Sequence, residues 1–200
     1  DLQSADMHDH CWNSRLMPGA KNRTLGLVGF GGIGTEVAKR AVPFGMKVIY
    51  FCRHPNPADD AAYGVQSVSM EELLKESDYV VAAVPLTDQT FHLFNEERIA
   101  QMKAGSVLIN IARGPVVDEE ALAQALASGH LGGCAVDVFP KEPCTDSVLT
   151  RYSNALLTPH SATSTAENSK ATNFAAANNL VNYLKKDIDA KYVVVQGTRY

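Results

Sequence analysis

A glycine-rich turn between an apolar strand and an amphipathic helix is the feature that most limits how this chain can fold. Residues 24–28 form a short apolar run that is typical of a buried strand. The glycine loop follows directly and reads Gly29-Phe30-Gly31-Gly32-Ile33-Gly34. Apolar residues then recur at helical spacing as far as Ala41, with charged residues between them. This order of strand, turn and helix is typical of a unit that binds a dinucleotide.

The three spaced glycines have separate tasks in such a turn. Gly29 makes the tight bend, Gly31 lets a pyrophosphate approach the backbone, and Gly34 lets the helix pack on the strand. The phosphates would accept hydrogen bonds from unpaired N–H groups at the start of the helix, where the helix dipole favours negative charge. The loop therefore predicts a dinucleotide site at its helix N-terminus.

Composition excludes several other classes of protein. The chain has 200 residues, 46% of them apolar and 20% charged, which suits one large domain with a proper core. Its net charge of −4 predicts neither a nucleic-acid partner nor an anionic membrane partner. No apolar stretch approaches the ~20 residues that span a bilayer. The four cysteines have no paired spacing, which favours a reducing, cytoplasmic compartment.

Metal binding has a single weak candidate. His8, His10 and Cys11 lie close together in a polar segment near the start of the chain. One such cluster in a polar segment is more often incidental than a ligand set, so we predict no metal site.

Strand and helix signals alternate through the middle of the chain. Five further segments are apolar at consecutive positions, as expected for strands buried on both faces, and they are residues 47–51, 79–83, 106–110, 133–136 and 154–157. Ser69, Asp118 and Ser164 are candidate caps for the helices that follow them. We therefore predict an α/β fold, a Rossmann-type doubly wound parallel sheet in a single domain.

The same pattern gives the expected organisation of the chain. Residues 1–21 are polar and irregular, and we predict that they form a connecting segment. Residues 22–165 are the predicted dinucleotide-binding domain. Residues 166–200 are predicted to form a C-terminal helix and tail.

Three ionisable residues come just after predicted strands, where open α/β sheets bind their ligands. They are Arg113, Glu142 and His160. An arginine can hold a substrate carboxylate through two hydrogen bonds, and a histidine can exchange a proton near neutral pH. A neighbouring carboxylate would orient the imidazole ring. Taken singly, each residue also has an ordinary interpretation as a surface, turn or loop residue.

At this point the chain resembles a known family, the D-isomer-specific 2-hydroxyacid dehydrogenases. This family includes phosphoglycerate dehydrogenases and glyoxylate/hydroxypyruvate reductases. The resemblance extends from about residue 24 to about residue 184. It rests on motifs in the right order, which are the glycine loop, Val84-Pro85-Leu86-Thr87 with Thr90, Met102-Lys103, Asn110-Ile111-Ala112-Arg113-Gly114, Asp137-Val138-Phe139-Pro140-Lys141-Glu142-Pro143 and Thr158-Pro159-His160.

The resemblance implies an NAD(P)-dependent oxidoreductase that transfers a hydride between nicotinamide and a small D-2-hydroxyacid or 2-ketoacid. It implies that Arg113 binds the substrate carboxylate, that His160 is the general acid or base, and that Glu142 is the partner of His160. Glutamate rather than glutamine at position 142 argues against the formate dehydrogenase branch. Contacts with the cofactor are implied for Val84, Pro85, Thr90, Ile111, Ala112, Arg113, Asp137 and His160. A homodimer formed through the cofactor domain is also implied.

The choice between NAD and NADP depends on the end of the second strand. A carboxylate usually stands there to bind the ribose hydroxyls of NAD. This strand instead ends in Cys52-Arg53-His54, and no carboxylate occurs before Asp59. Because Arg53 could pair with the additional phosphate of NADP, we predict NADP in preference to NAD. The alternative is that Arg53 stacks on adenine or faces solvent.

The resemblance also implies something about the rest of the enzyme. Family members resemble a two-domain design, in which an N-terminal portion builds most of the substrate domain. This portion is missing from the chain, and the C-terminal helix would normally return to it. We therefore expect the chain to bind cofactor and to turn over slowly or not at all alone. A dinucleotide-sensing module similar to the family's transcriptional corepressors is the alternative function.

Overall fold

A computed structural model describes Trp12, residues 19–187 and Asp189. The predicted connecting segment, the candidate metal cluster and the end of the predicted tail lie largely or wholly outside these residues. The described residues form two compact units, one up to Pro159 and one from His160 onward. The boundary expected from the sequence falls six residues later, after residue 165.

Seven strands among the described residues form one sheet, and all of its pairings are parallel. In spatial order the strands are β3-β2-β1-β4-β5-β6-β7. Their bounds are β1 Thr24–Val28, β2 Lys47–Phe51, β3 Gln66–Ser67, β4 Tyr79–Ala82, β5 Val107–Asn110, β6 Gly133–Val136 and β7 Ala155–Leu157. The Rossmann-type α/β fold is therefore confirmed, and each predicted strand agrees with the structure to within one residue. The two-residue strand β3 was not predicted.

The strands alternate with helices, most of which begin at a recognisable cap. The helices are α1 Gly32–Ala41, α2 Pro57–Tyr63, α3 Met70–Glu76, α4 Glu96–Ala100, α5 Glu119–Ala127 and, in the second unit, α6 Ala166–Leu184. The predicted caps of α3 and α5 are confirmed, since Ser69 and Asp118 accept hydrogen bonds from backbone N–H groups of the first turn. The predicted cap of α6 is wrong by one residue. Thr165, rather than Ser164, accepts from the Asn168 N–H at 3.1 Å.

Each face of the sheet has its own hydrophobic cluster, because successive side chains of a strand point to opposite faces. Leu27 of β1 and Tyr50 of β2 pack with Ala38 of α1 on one face. On the other face, Leu73 of α3 and Leu122 of α5 pack in a larger cluster with residues of β4, β5 and β6. The predicted arrangement of helices on both faces is therefore present.

The last strand of the sheet differs from the prediction that every strand is buried on both faces. Leu156 of β7 is 66% exposed. β7 stands at the edge of the sheet order and pairs with β6 alone among the described strands. An apolar run by itself does not distinguish an edge strand from a central one, so this exposure could not be predicted from the run.

At the amino ends of the central strands, one carboxylate ties three segments together. Asp78 Oδ1 accepts from Lys103 Nζ at 2.7 Å and from Arg23 Nη1 at 3.1 Å. Asp78 Oδ2 accepts from the Thr24 N–H at 2.8 Å. Burial alone would raise the pKa of the Asp78 carboxyl, but the hydrogen bonds from Lys103, Thr24 and Arg23 outweigh it and hold this pKa below its ordinary value.

Replacing this carboxylate should reduce the stability of the sheet at neutral pH. A carboxyl with a lowered folded-state pKa contributes stability above its unfolded pKa, and that stability is lost as pH falls through the folded-state pKa. We expect Asp78→Asn to lower the free energy of unfolding at pH 7 by about 2 kcal/mol. This corresponds to a fall in Tm of about 4–8 °C. The difference from the wild type should shrink as pH falls below about 4.

The matched control is Glu71→Gln, which removes an exposed carboxylate that lies 2.6 Å from Lys75 within α3. Exposed pairs of this kind contribute little, so its Tm should match that of the wild type. Thermal unfolding followed by circular dichroism between pH 3 and pH 7 measures both variants. An Asp78→Asn protein as stable as the wild type at pH 7 would contradict the role given to this cluster.

Candidate functional site

The glycine loop lies where the chain changes direction across the sheet. From β1 the chain winds outward through β2 to β3, and then returns to β4 on the other side of β1. The Gly29 N–H donates to the Phe51 carbonyl at 2.9 Å, and the Ala83 N–H donates to the Val28 carbonyl at 2.8 Å. The carboxyl ends of β1, β2 and β4 therefore open side by side, which is where open α/β sheets bind their ligands.

Two of the loop glycines are required by the fold itself. Gly29 has φ +102°, a conformation that side chains rarely adopt, and a Cβ there would collide with the carbonyl oxygen of Ala83. A Cβ at Gly34 would collide with the carbonyl oxygen of Gly29. These contacts correspond to the tight bend and the close helix packing expected from the sequence.

Gly31 and Gly32 have a different environment. A Cβ built at either glycine would meet no heavy atom within 4 Å. Gly31 is the N-cap of α1, it offers no side-chain hydrogen bond, and the first turn of the helix has no acidic residue. The first backbone N–H groups of α1 are thus open to an anion at the positive end of the helix dipole. This open cradle fits the phosphates of a dinucleotide.

A cleft of about 510 Å³ extends from the glycine loop along the ends of β2 and β4. It brings together nine residues that the sequence nominated for the cofactor, which are Gly29, Phe30, Gly31, Cys52, Arg53, His54, Val84, Pro85 and Thr90. Sequence reasoning missed several others, among them Phe51, Met70, Gln89, Leu93 and Arg98. Phe51 could have been found because it ends a predicted strand, whereas Met70, Gln89, Leu93 and Arg98 carried no recognisable motif.

Aromatic packing and a threonine hydroxyl give the cleft its shape. The Phe30 ring stacks on Tyr50 with centroids 4.1 Å apart, which anchors the glycine loop to the core. Thr90 Oγ1 donates to the Pro85 carbonyl at 2.6 Å and accepts from the Thr87 N–H at 2.7 Å. Thr90 thereby closes the turn that forms one wall of the cleft.

The end of the cleft beside β2 is cationic. Arg53 and His54 are exposed there, and no Asp or Glu stands among the described residues that line the cleft. Arg53 has no hydrogen bond or ion pair with any other residue that the structure describes. The nearby helix α2 carries Asp60, but that carboxylate already accepts from the Tyr50 hydroxyl at 2.7 Å. The Arg53 guanidinium is therefore available to an anionic ligand.

The carboxyl ends of β5 and β6 carry three of the other nominated residues. Arg113 is exposed, and its Nη1 donates to the Ala112 carbonyl at 2.7 Å. Asp137 is 8% exposed and its Oδ1 accepts from the Thr158 hydroxyl at 2.5 Å. Glu142 Oε1 accepts from the Phe139 N–H at 2.9 Å, so this carboxylate also shapes its own loop.

Several nominated residues do not line this cleft in the described part of the chain. They are Gly32, Ile33, Gly34, Ile111, Ala112, Arg113, Asp137, Glu142 and His160. His160 is the first residue of the second unit and has φ +49°. Its pairing with Glu142 and its action on a substrate stay predictions.

The described residues contain no group of three His, Cys, Asp or Glu side chains able to hold a metal ion. None of their helices combines the length and the apolar character needed to cross a membrane.

Known proteins match this chain over most of its length. Residues 2–162 match the family described as "D-isomer specific 2-hydroxyacid dehydrogenase, NAD binding domain". The glyoxylate reductase of Thermococcus litoralis is 42% identical over 175 residues, which cover 88% of this chain and 53% of that protein. The glyoxylate reductase of Thermococcus onnurineus is 47% identical over 143 residues, covering 72% of this chain and 43% of that protein.

A solved structure extends the likeness to three dimensions. The crystal structure of D-lactate dehydrogenase from Aquifex aeolicus, complexed with NAD and lactic acid, superposes with a TM-score of 0.86 at 31% identity. The match covers 93% of this chain and 61% of that chain. This chain spans about half the length of the curated relatives that it matches. It belongs to the D-isomer specific 2-hydroxyacid dehydrogenase family and carries the NAD-binding domain of that family.

Proposed function

We propose that the chain binds NADP(H) and takes part in the reversible reduction of a small 2-ketoacid to a D-2-hydroxyacid. The observation that carries this proposal is the position of Arg113, after β5, beside the strand whose end forms the dinucleotide cleft. Carboxyl ends of adjacent parallel strands meet at one edge of a sheet, so a cofactor and a carboxylate substrate can meet there.

Each candidate site residue has its own proposed role in such a reaction. The nicotinamide, when bound, supplies or accepts the hydride. Arg113 binds the substrate carboxylate and polarises the neighbouring carbonyl, because a guanidinium presents several donors in a planar fork. His160 gives a proton to the carbonyl oxygen during reduction and takes it back in the reverse direction. In this proposal Glu142 would orient His160, and Asp137 would contact the nicotinamide carboxamide of a bound cofactor.

The curated relatives suggest the size of the substrate. Two archaeal relatives are named glyoxylate reductases, and the solved relative from Aquifex aeolicus was complexed with lactic acid. Glyoxylate and pyruvate differ by one methyl group, and both carry a carboxylate next to a carbonyl. We therefore propose a 2-ketoacid of two or three carbons as the class to test first.

We propose NADP rather than NAD as the cofactor, because the cleft has a cation where NAD-specific proteins place a carboxylate. Arg53 lines the cleft, is exposed and is free of ion pairs with the described residues. A charge-assisted hydrogen bond to a phosphate contributes about 1.5–3 kcal/mol. This amounts to about ten- to a hundredfold in affinity.

Charge reversal at this position tests the proposal. We expect Arg53→Asp to raise the Kd for NADPH by about 10- to 100-fold and to leave the Kd for NADH unchanged or lower. Titration of reduced-cofactor fluorescence measures both constants. Arg151→Asp is the matched control, since Arg151 is exposed in the 3-10 helix Val148–Arg151 and does not line the cleft. A wild-type preference for NADH would refute the choice of NADP.

We further propose a homodimer working in the cytoplasm. The homodimer is what the resemblance to the family implies, with the cofactor domain as its interface. The described cysteines, Cys52, Cys134 and Cys144, are free thiols, which supports a reducing compartment.

A further inference from the structure

The turn that carries Arg113 is held by one buried amide side chain. Asn110 is the last residue of β5 and is 1% exposed. Its Oδ1 accepts from the Ala112 N–H at 3.1 Å, and its Nδ2 donates to the Arg113 carbonyl at 3.0 Å. The same Nδ2 lies 3.5 Å from the Gly114 carbonyl. One side chain thus satisfies backbone groups on both sides of Arg113.

A second contact holds the turn from its flank. A Cβ at Gly114 would collide with the backbone of Phe139 and Pro140, so the turn lies directly against the loop after β6. The Phe139 N–H of that loop donates to Glu142 at 2.9 Å. The strands themselves are joined here, since the Asp137 N–H donates to the Asn110 carbonyl at 3.2 Å. The turn has two backbone bonds of its own, from the Val116 N–H to the Arg113 carbonyl and from the Val117 N–H to the Gly114 carbonyl, and Asn110 adds the side-chain bonds that join it to the end of β5.

We propose that Asn110 is a positioning residue that sets the direction of the Arg113 side chain. This inference rests on the proposed function, in which Arg113 binds the substrate carboxylate. Asn110 acts through the Arg113 backbone, because its bonds reach the N–H of Ala112 and the carbonyl of Arg113. It does not line the dinucleotide cleft, so its effect is on the substrate and not on the cofactor.

The chemistry of the site requires an amide. The Ala112 N–H needs an acceptor, and the Arg113 carbonyl, which accepts from the Val116 N–H at 3.1 Å, takes a second hydrogen bond from the Asn110 amide. Asparagine offers both on a short side chain, whereas an ionised aspartate has acceptors alone and alanine has neither. Asn110→Asp therefore keeps one bond and turns the other into a repulsion between two oxygens. Asn110→Ala removes both bonds and leaves the Ala112 N–H without its acceptor, while the Arg113 carbonyl keeps its bond from the Val116 N–H at 3.1 Å.

Kinetics separates this role from a general loss of structure. We expect Asn110→Asp to lower kcat/KM for glyoxylate at least about tenfold while its Kd for NADPH stays within about twofold. The double variant Asn110→Asp/Arg113→Gln should have the same kcat/KM as Arg113→Gln alone, because a residue that acts through Arg113 has no effect once Arg113 is gone. Ser106→Ala is the matched control, since Ser106 is equally buried just before β5 and its hydroxyl has no partner among the described residues. It should leave kcat/KM unchanged.

Hydrogen exchange gives a readout without turnover. In Asn110→Ala the Ala112 amide should exchange at least about tenfold faster, while the amides of Leu108 and Ile109 in the same strand keep their protection. An Asn110→Asp protein with the same kcat/KM as the wild type would overturn the proposal. So would a double variant whose loss in kcat/KM is the product of the two single losses. A wild-type protein that binds no NADPH would refute the proposed function instead, whereas slow or absent turnover is what we expect of this chain alone. In that case the hydrogen-exchange rate of the Ala112 amide alone would test the role of Asn110, and an unchanged rate in Asn110→Ala would overturn that role.

Discussion

Gly31→Ala is expected to leave the fold intact and to weaken NADPH binding by about 10- to 100-fold. A Cβ at Gly31 meets no heavy atom within 4 Å, and the residue has φ −96°, which alanine adopts without strain. Alanine is a poorer N-cap than glycine, so the free energy of unfolding should fall by less than about 1 kcal/mol. The added methyl group would instead occupy the space in front of α1, where the pyrophosphate must approach the backbone.

Gly29→Ala provides the contrast, because it lies two residues away in the same loop. Its methyl group would collide with the Ala83 carbonyl, and its φ of +102° is strained for alanine. We expect a loss of about 3 kcal/mol or more in the free energy of unfolding. Thermal unfolding and NADPH titration on both variants separate the two tasks. A Gly31→Ala protein that binds NADPH like the wild type would contradict the cradle assigned to this glycine.

Strands were predicted more accurately than helix starts for a physical reason. A strand buried on both faces demands apolar residues at its buried positions, so runs such as residues 48–51 and 133–136 are hard to mistake. A helix cap demands one hydroxyl or carboxylate, and neighbouring residues can both supply it. Ser164 and Thr165 are adjacent hydroxyls, and the structure uses the second. The choice depends on backbone geometry, which the sequence does not encode at single-residue resolution.

Some residues of the cofactor cleft could likewise be predicted from the local sequence, whereas others depend on tertiary packing. The glycine loop and the Cys52-Arg53-His54 end of β2 were found because each follows directly from a strand pattern. Met70 and Arg98 reach the same cleft from α3 and α4, whose approach to the cleft depends on tertiary packing. Thr90 was nominated from a family motif, and its hydrogen bonds to Pro85 and Thr87 show that it shapes the wall of the cleft. Sequence motifs therefore identified the glycine loop and the end of β2, whereas Met70 and Arg98 could be assigned to the cleft only from the structure.

Arg113→Gln is expected to lower kcat/KM for a small 2-ketoacid by about 100- to 1,000-fold, because it removes the charged donors for the substrate carboxylate. Arg113→Lys should recover a minor part of this loss, since an ammonium keeps the charge but cannot form the two parallel hydrogen bonds. The effect should appear mainly as a higher KM for glyoxylate, with the Kd for NADPH within about twofold of the wild type. Steady-state kinetics with NADPH and glyoxylate measure kcat/KM and KM, and fluorescence titration measures the Kd for NADPH.

Arg151→Gln is the matched control for Arg113→Gln, because it removes an exposed guanidinium from the same compact unit. It should behave like the wild type in both measurements, which excludes a general effect of net charge on an anionic substrate. Binding of oxamate, a carboxylate analogue of a 2-ketoacid, to the NADPH-bound chain extends the test to conditions without turnover. There too Arg113→Gln should lose affinity and Arg151→Gln should not. Equal kcat/KM and equal oxamate affinity in Arg113→Gln and the wild type would mean that another residue binds the substrate carboxylate.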